Sequence, residues 1–376
     1  MIGAVGITQE PSMDTRNRTA RLQALGQSLW LDNITRALLD GGTLQRYIDA
    51  YAITGLTSNP TIFDHALEHG TLYDAEIRAQ AQAGLAGEDL FFALALADLG
   101  RAADLLRPVH ERTRGLDGWV SLEVSPLLAY DSAATVRSAR ALHARAARPN
   151  LFIKIPGTAE GLPAIEEATF AGVPVNVTLL FSAAQYRASA EAWLRGIERR
   201  LEAGLSPQVP SVASIFVSRW DVAVAGKLPP ELHLRLGIAV AREVYRDYLA
   251  FLASPRLQRV MNAGLWPQRL LLASTGTKDP KASDTLYVEA LAAPFTIDTI
   301  PDATLEAFAA HGEVAAPMPA DGGDCDEVLA AVRRAGIDVD ALAARLQSDG
   351  AAAFVKSWHA LLGRIAAKSA ELGPPR

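Results

Sequence analysis

The sequence predicts an α/β protein whose 376 residues form a single (β/α)8 barrel of the TIM type. Three observations carry that expectation. Strand-like apolar runs alternate with long amphipathic helical segments along most of the chain. There are about eight such runs, the number a (β/α)8 barrel needs. No hairpin signal joins one run to the next, so the strands are expected to be parallel, with helices crossing between them. An open doubly wound sheet is the competing architecture. It is weakened because no G-x-G-x-x-G turn follows an early strand.

The strand-like runs are 27–32 (QSLWLD), 53–57 (ITGLT), 118–124 (GWVSLEV) and 151–155 (LFIKI). They continue with 173–179 (VPVNVTL), 211–217 (SVASIFV), 269–274 (RLLLAS) and 294–299 (PFTIDT). Helical segments between them include 131–147, 159–171, 183–204 and 234–253. The stretch 70–106 holds two helical segments without an obvious strand, and is expected to be a helical insertion between barrel strands. After a loop-like stretch at 314–324 (VAAPMPADGGD), the tail 324–371 is Ala-rich and helical. It is expected to pack over the barrel, leaving 1–376 as one domain. No internal repeat exists beyond the βα alternation, and no segment is of low complexity.

Composition bounds the function. With 49% apolar and 21% charged residues, a well-packed globular protein is the default. The net charge of −6 argues against a general nucleic-acid binder, which needs a basic surface. A small phosphorylated ligand needs only a few local cations. The single cysteine, Cys325, allows no intrachain disulfide and no zinc ribbon. The segment MIGAVGITQEPSMDTRNRTA lacks a basic stretch followed by a long apolar core, so no signal peptide is expected. No apolar run approaches the roughly 18–20 residues of a membrane span. The expectation is a soluble, cytoplasmic protein that engages neither membrane nor nucleic acid.

In a parallel barrel, function collects at the C-terminal ends of the strands. The polar residues there are Asp32 and Asn33 after the first strand, and Thr57, Ser58 and Asn59 after the second. The third carries Glu123, the fourth Lys154, and the fifth Asn176 and Thr178. The sixth contains Ser214 and runs to Arg219; the seventh ends at Ser274, before the loop TGTKDPKASD. Taken singly, each has a bland reading. Asp32 suits a helix N-cap before NITRALL, and Asn59-Pro60 suits a helix start. Glu123 and Lys154 suit a structural buried ion pair. Barrel-lining positions are otherwise dominated by branched apolar residues, so this many polar choices point to a shared reason.

Lys154 supplies one. It interrupts the apolar run LFIKIP, where an ammonium group is expensive to desolvate. The side chain either reaches solvent, has a partner, or works as a neutral amine. Burial disfavours the charged form of an amine, and a neutral amine can add to a ketone to form a Schiff base. The protonated imine then acts as an electron sink, so an adjacent carbon–carbon bond can break or form. Protons must be shuttled meanwhile, and Asp32 and Glu123 can divide that work. This chemistry requires no metal or organic cofactor.

These residues sit in segments that resemble a known family. GLTSNPTIF (55–63) and LFIKIPGTAEGLPAIEEATFAGVPVNVTLLFSAAQY (151–186) are similar to the two signature segments of the transaldolases. LWLDNITR (29–36), VSLEVSP (120–126), ASIFVSRWD (213–221) and LLASTGTKDPKASDTLYVE (271–289) extend the likeness in the right order. The length and the STGTKDP loop resemble the longer bacterial branch. The resemblance implies a metal-free class I aldolase-type barrel. It implies transfer of a dihydroxyacetone unit from sedoheptulose 7-phosphate to glyceraldehyde 3-phosphate in the non-oxidative pentose phosphate pathway.

By the same resemblance, Lys154 is the Schiff-base lysine and Asp32 the acid/base for carbon–carbon cleavage. Glu123 and Thr178 hold a water for proton transfer. Asn59 and Asn176 hold the dihydroxyacetone hydroxyls. Ser214, Phe216, Arg219 and Ser274 form the outer part of the site, where Arg219 grips phosphate through its planar fork of donors. A second arginine of the short-chain pattern is missing; Lys278 is the expected replacement, with Lys281 as fallback. Oligomeric state is left between monomer and homodimer.

Two rival functions stand beside this one. An aldolase of the same superfamily would cleave fructose 6-phosphate with the same lysine, but such relatives tend to carry Gln and Tyr at the positions of Glu123 and Phe216. A binding protein on a decayed barrel would have no use for the full set of polar residues. His65 and His69, four apart in HALEH, lack a third metal ligand and read as a solvated helix face. Phe91-Phe92 reads as core. Cys325, in GGDCDE, reads as part of a loop and helix cap.

Overall fold

Strands form where branched and aromatic residues crowd between turn formers, and each extends the sheet in chain order. They are β1 (Ser28–Leu31), β2 (Ile53–Leu56), β3 (Trp119–Glu123), β4 (Leu151–Pro156), β5 (Val175–Leu180), β6 (Ser211–Phe216), β7 (Arg269–Ala273) and β8 (Thr296–Ile300). All pairings are parallel, and β8 returns to pair with β1, closing the barrel. An open doubly wound sheet is thereby excluded. The structure, a computed structural model, describes residues 18–68 and 70–373. The segment read for a signal peptide therefore lies almost wholly outside the described residues, as does His69.

Helix α1 (Arg18–Leu25) precedes β1, and α2 (Arg36–Asp40) and α3 (Thr43–Tyr51) follow it. Between β2 and β3 come α4 (Pro60–Glu68), α5 (Asp74–Gln82) and α6 (Gly87–Arg112). Then α7 (Ser132–Ala146), α8 (Gly161–Phe170) and α9 (Ala183–Glu202) follow β3, β4 and β5 in turn. After β6 come α10 (Ser218–Ala223), α11 (Leu236–Leu252) and α12 (Pro255–Met261), and after β7 comes α13 (Leu286–Ala290). The chain closes with α14 (Asp302–His311), α15 (Cys325–Arg334) and α16 (Val339–Leu372). The stretch 70–106 thus holds α5 and most of α6. Helix α6 runs on to Arg112, buries Leu94, Leu99, Ala102 and Leu106, and packs on β3 and β2, as a barrel crossover helix does. No described helix is long and apolar enough to cross a membrane.

Side chains alternate across a strand, so one placed residue orients the rest of its face. Phe152 stacks on Trp119, with ring centroids 4.1 Å apart, and lies 6.1 Å from Trp30. The Trp30 indole passes so close to Gly55 that a Cβ there would stand 2.6 Å from it. These aromatics fill the barrel interior across β1 to β4. Two residues further along each strand, the same inward face carries Asp32, Thr57, Ser121 and Lys154. Lys154 therefore points into the barrel, which the apolar run around it could not decide.

Helix α16 lies across the C-terminal mouth. Asp338 caps its start by accepting from the Ala341 amide. The Gln347 amide donates to the carbonyls of Gly157 and Leu179, 2.9 Å each, beside the ends of β4 and β5. Further on, Trp358 packs against Phe91 and Phe92 and donates to Glu88. Arg364 and Lys368 pair with Asp64 and Asp74 at 2.9 and 2.8 Å. Phe91-Phe92 is thus core, where it meets the tail. Cys325 is buried at the start of α15.

Candidate active site

Register brings the strand-end polar residues side by side. Glu123 pairs with Lys154 across β3 and β4, and Lys154 with Asn176 across β4 and β5. Lys154 is 5% exposed, so escape to solvent is ruled out for it. Its amine donates to the Ser58 carbonyl at 3.1 Å and lies 3.4 Å from Glu123 Oε2. The ion-pair reading is correct as far as distance goes. Yet neither Glu123 oxygen has hydrogen-bond geometry to a protein group, and neither does the buried Thr178 hydroxyl.

Above the amine lies a cavity of about 110 Å³. Its walls include Asp32, Asn59, Lys154, Thr178, Ser214, Phe216, Arg219, Ser274 and Lys278, all expected from the sequence. Glu123 and Asn176 stand behind that wall. Asn176 is fully buried, donating to Ser121 Oγ at 3.1 Å and accepting from Ser214 Oγ at 2.7 Å. Lys281 does not line the cavity, whereas Lys278 does, together with Arg219 and Lys154.

The bland readings resolve individually. Asp32 is not a helix cap, because Thr35 accepts from Leu38 and caps α2. Asp32 accepts instead from Thr57 Oγ1 at 2.9 Å, and Thr57 lies 2.7 Å from the Thr299 hydroxyl. Asn59 does help to start α4, since its side-chain oxygen accepts from the Ile62 amide. It also lines the cavity, so it serves both purposes. His65 is exposed on α4 beside Glu68, and no group of three or more His, Cys, Asp or Glu among the described residues is placed to hold a metal ion.

Enclosure shapes the charges. Burial pushes the Asp32 carboxyl up from its ordinary value, against the attraction of Lys154, the Thr57 hydrogen bond and Lys278. Burial also raises Glu123, opposed by Lys154 and Arg219. Arg219 is pushed down by burial and pulled back by Glu123 and Asp32. Two carboxyls raised towards neutrality beside a buried amine are suited to accepting and returning protons.

The sequence reading placed Thr57 at a strand end but gave it no role, and it missed Thr299, Ala273, Gly276, Pro301 and above all Phe354. Thr57 and Thr299 end strands and share the signal that found their neighbours. Phe354 comes from α16, and its ring lies 6.0 Å from the Lys154 amine.

A closed (β/α)8 barrel with charged side chains converging on a pocket at the strand C-termini has the build of a barrel enzyme. Sequence comparison narrows the class. The family model Transaldolase/Fructose-6-phosphate aldolase matches residues 29–365. A Transaldolase of Frankia alni is 43% identical over 359 residues, covering 93% of this chain and 97% of the relative. One from Thermobifida fusca is 44% identical over 355 residues, covering 92% and 96%. One from Neisseria gonorrhoeae is 42% identical over 345 residues, covering 92% and 98%. The chain belongs to the transaldolase/fructose-6-phosphate aldolase family and is an enzyme of the transaldolase type.

Proposed function

We propose that the protein moves a dihydroxyacetone unit from sedoheptulose 7-phosphate to glyceraldehyde 3-phosphate through a Schiff base on Lys154. The products are erythrose 4-phosphate and fructose 6-phosphate, placing the enzyme in the cytoplasmic non-oxidative pentose phosphate pathway, as a monomer or homodimer. The observation that carries this reading is the Lys154 amine, enclosed at the barrel mouth beside Glu123 and in one cavity with Asp32.

The neutral amine adds to the donor ketone, and loss of water gives the imine. A water held by Glu123 Oε and Thr178 Oγ1 relays the protons; these are atoms for which the protein itself provides no hydrogen-bond partner. Asp32 then takes the proton from the C4 hydroxyl as the C3–C4 bond breaks. The aldose phosphate leaves and the electron pair stays on the imine as an enamine. The enamine carbon attacks the acceptor aldehyde, whose oxygen regains the proton from Asp32. Water returns to the imine carbon and frees the ketose and Lys154. Asn59 and Asn176 hold the dihydroxyacetone hydroxyls, while Ser214, Ser274, Arg219 and Lys278 face the phosphate end and Phe216 walls it.

Incubation with fructose 6-phosphate and borohydride, followed by peptide mass spectrometry, tests this. A reduced three-carbon adduct on Lys154 is expected, and its absence would sink the Schiff-base reading. Release of a free three-carbon product without acceptor, at the rate seen with erythrose 4-phosphate present, would indicate cleavage rather than transfer.

A further inference from the structure

Gly350 stands inside α16 in the stretch SDGAAAF, where alanine is otherwise the repeated choice. Glycine weakens a helix interior relative to alanine, and Gly350 has no left-handed φ to justify it. Its reason lies in what passes over it. A Cβ at Gly350 would stand 3.0 Å from Leu179 Cδ2 and 3.3 Å from Arg219 Nη1. Phe354, four residues on and on the same helix face, places its ring 5.8 Å from the Arg219 guanidinium carbon. Phe216 of β6 lies 5.1 Å from that same carbon. Gln347, three residues before Gly350, anchors this part of α16 to the ends of β4 and β5.

Arg219 is half-buried and forms no salt bridge with any carboxylate among the described residues. Packing is what orients it. Its guanidinium borders both the inner cavity, with Lys154, and an outer hollow reached by Ser218 and Lys278. We propose that α16 is a positioning element of the anion-binding end of the site. Gly350 gives the guanidinium room and Phe354 gives it an aromatic face, so the tail helix sets how tightly a phosphorylated sugar is held. This rests on the reading of Arg219 as the phosphate grip. A guanidinium already held against two rings loses less freedom on meeting phosphate.

The test uses Gly350→Ala and Phe354→Leu in the full chain. Four quantities are read: the dissociation constant for inorganic phosphate, KM and kcat for fructose 6-phosphate, and the borohydride adduct formed on Lys154 by dihydroxyacetone, which has no phosphate. The phosphate constant and KM are expected to rise together by about tenfold in both variants, with kcat nearly unchanged and the adduct retained in Gly350→Ala, which keeps the Phe354 ring beside Lys154. Gly350→Ala favours the helix, so weaker phosphate binding in that variant is not a melted tail. If one variant fails to fold, the other decides. Unchanged phosphate affinity in the folded variants overturns the inference, as does a fall in kcat with KM unmoved in Gly350→Ala. No measurable phosphate binding by the unsubstituted protein overturns it as well. Failure of the unsubstituted protein to form the Lys154 adduct would instead overturn the proposed reaction, with the phosphate comparison still deciding the role of α16.

Discussion

Asp298 is one residue from cavity-lining Thr299 and therefore faces outward from β8, yet it is fully buried. One carboxyl oxygen accepts from Thr275 Oγ1 at 2.7 Å, and the other has no hydrogen-bond partner. Burial pushes this carboxyl from 3.8 to about 7, with the Thr275 hydroxyl opposing. The folded state thus holds the Asp298 proton more tightly than the unfolded state. Stability contributed by the protonated group is complete below the unfolded value, and is lost as pH rises from about 4 through 7. The gap between the two values, at about 1.36 kcal/mol per pH unit, is about 4 kcal/mol. Asp298→Asn cannot ionise but keeps an acceptor for Thr275. Its new amide group lacks a partner and costs about 1–3 kcal/mol. The variant should therefore be more stable than the parent by about 1–3 kcal/mol at pH 8. At pH 5 the parent has recovered most of the ionisation cost, and the advantage should shrink by about 3 kcal/mol. That difference is independent of the amide penalty. Urea unfolding of both proteins at the two pH values measures it. An equal stability difference at pH 5 and pH 8 would refute the claim that Asp298 ionises at a cost in the fold.

Asp32→Asn should lower turnover by about 10²–10⁴-fold while leaving the dihydroxyacetone adduct on Lys154 intact, as read by mass spectrometry; full activity would remove Asp32 from the reaction. Lys278→Ala should raise KM for fructose 6-phosphate by about tenfold or more, the worth of one charge-assisted hydrogen bond. Lys281→Ala should leave steady-state kinetics unchanged, and equal effects of the two would place the phosphate elsewhere. Gly55→Ala should destabilise the barrel by about 1–3 kcal/mol, since the new methyl meets the Trp30 indole. An unchanged urea midpoint would mean that Trp30 can move aside.

The eight strands were legible because their residues are branched and aromatic and their ends are marked by turn formers. Each lies within two residues of the run that announced it. The polar set at the mouth was legible for a related reason: Asp32, Lys154 and Ser214 occupy positions where packing alone asks for apolar side chains. What stayed hidden depends on long-range placement. Period-two alternation cannot orient Lys154 in a strand apolar on both faces; the Phe152–Trp119 stack settles it. The tail reads as an amphipathic helix wherever it packs, so nothing in its pattern told Phe354 at the mouth from Trp358 in the core. Asn59 illustrates a different limit. The cap reading and the site reading were posed as alternatives, but its oxygen caps α4 while the residue also lines the cavity.

Because a wall of the cavity comes from α16, the order in which the chain is made matters. A ribosome that has delivered everything through β8 has supplied the amine, both carboxylates and the asparagines. It has not yet supplied Phe354, nor the Gln347 amide that ties down two carbonyls at the mouth. The nascent barrel would present an open pocket without its last side. A finished site, and with it a shielded lysine, arrives only when α16 has been made and has packed on the barrel.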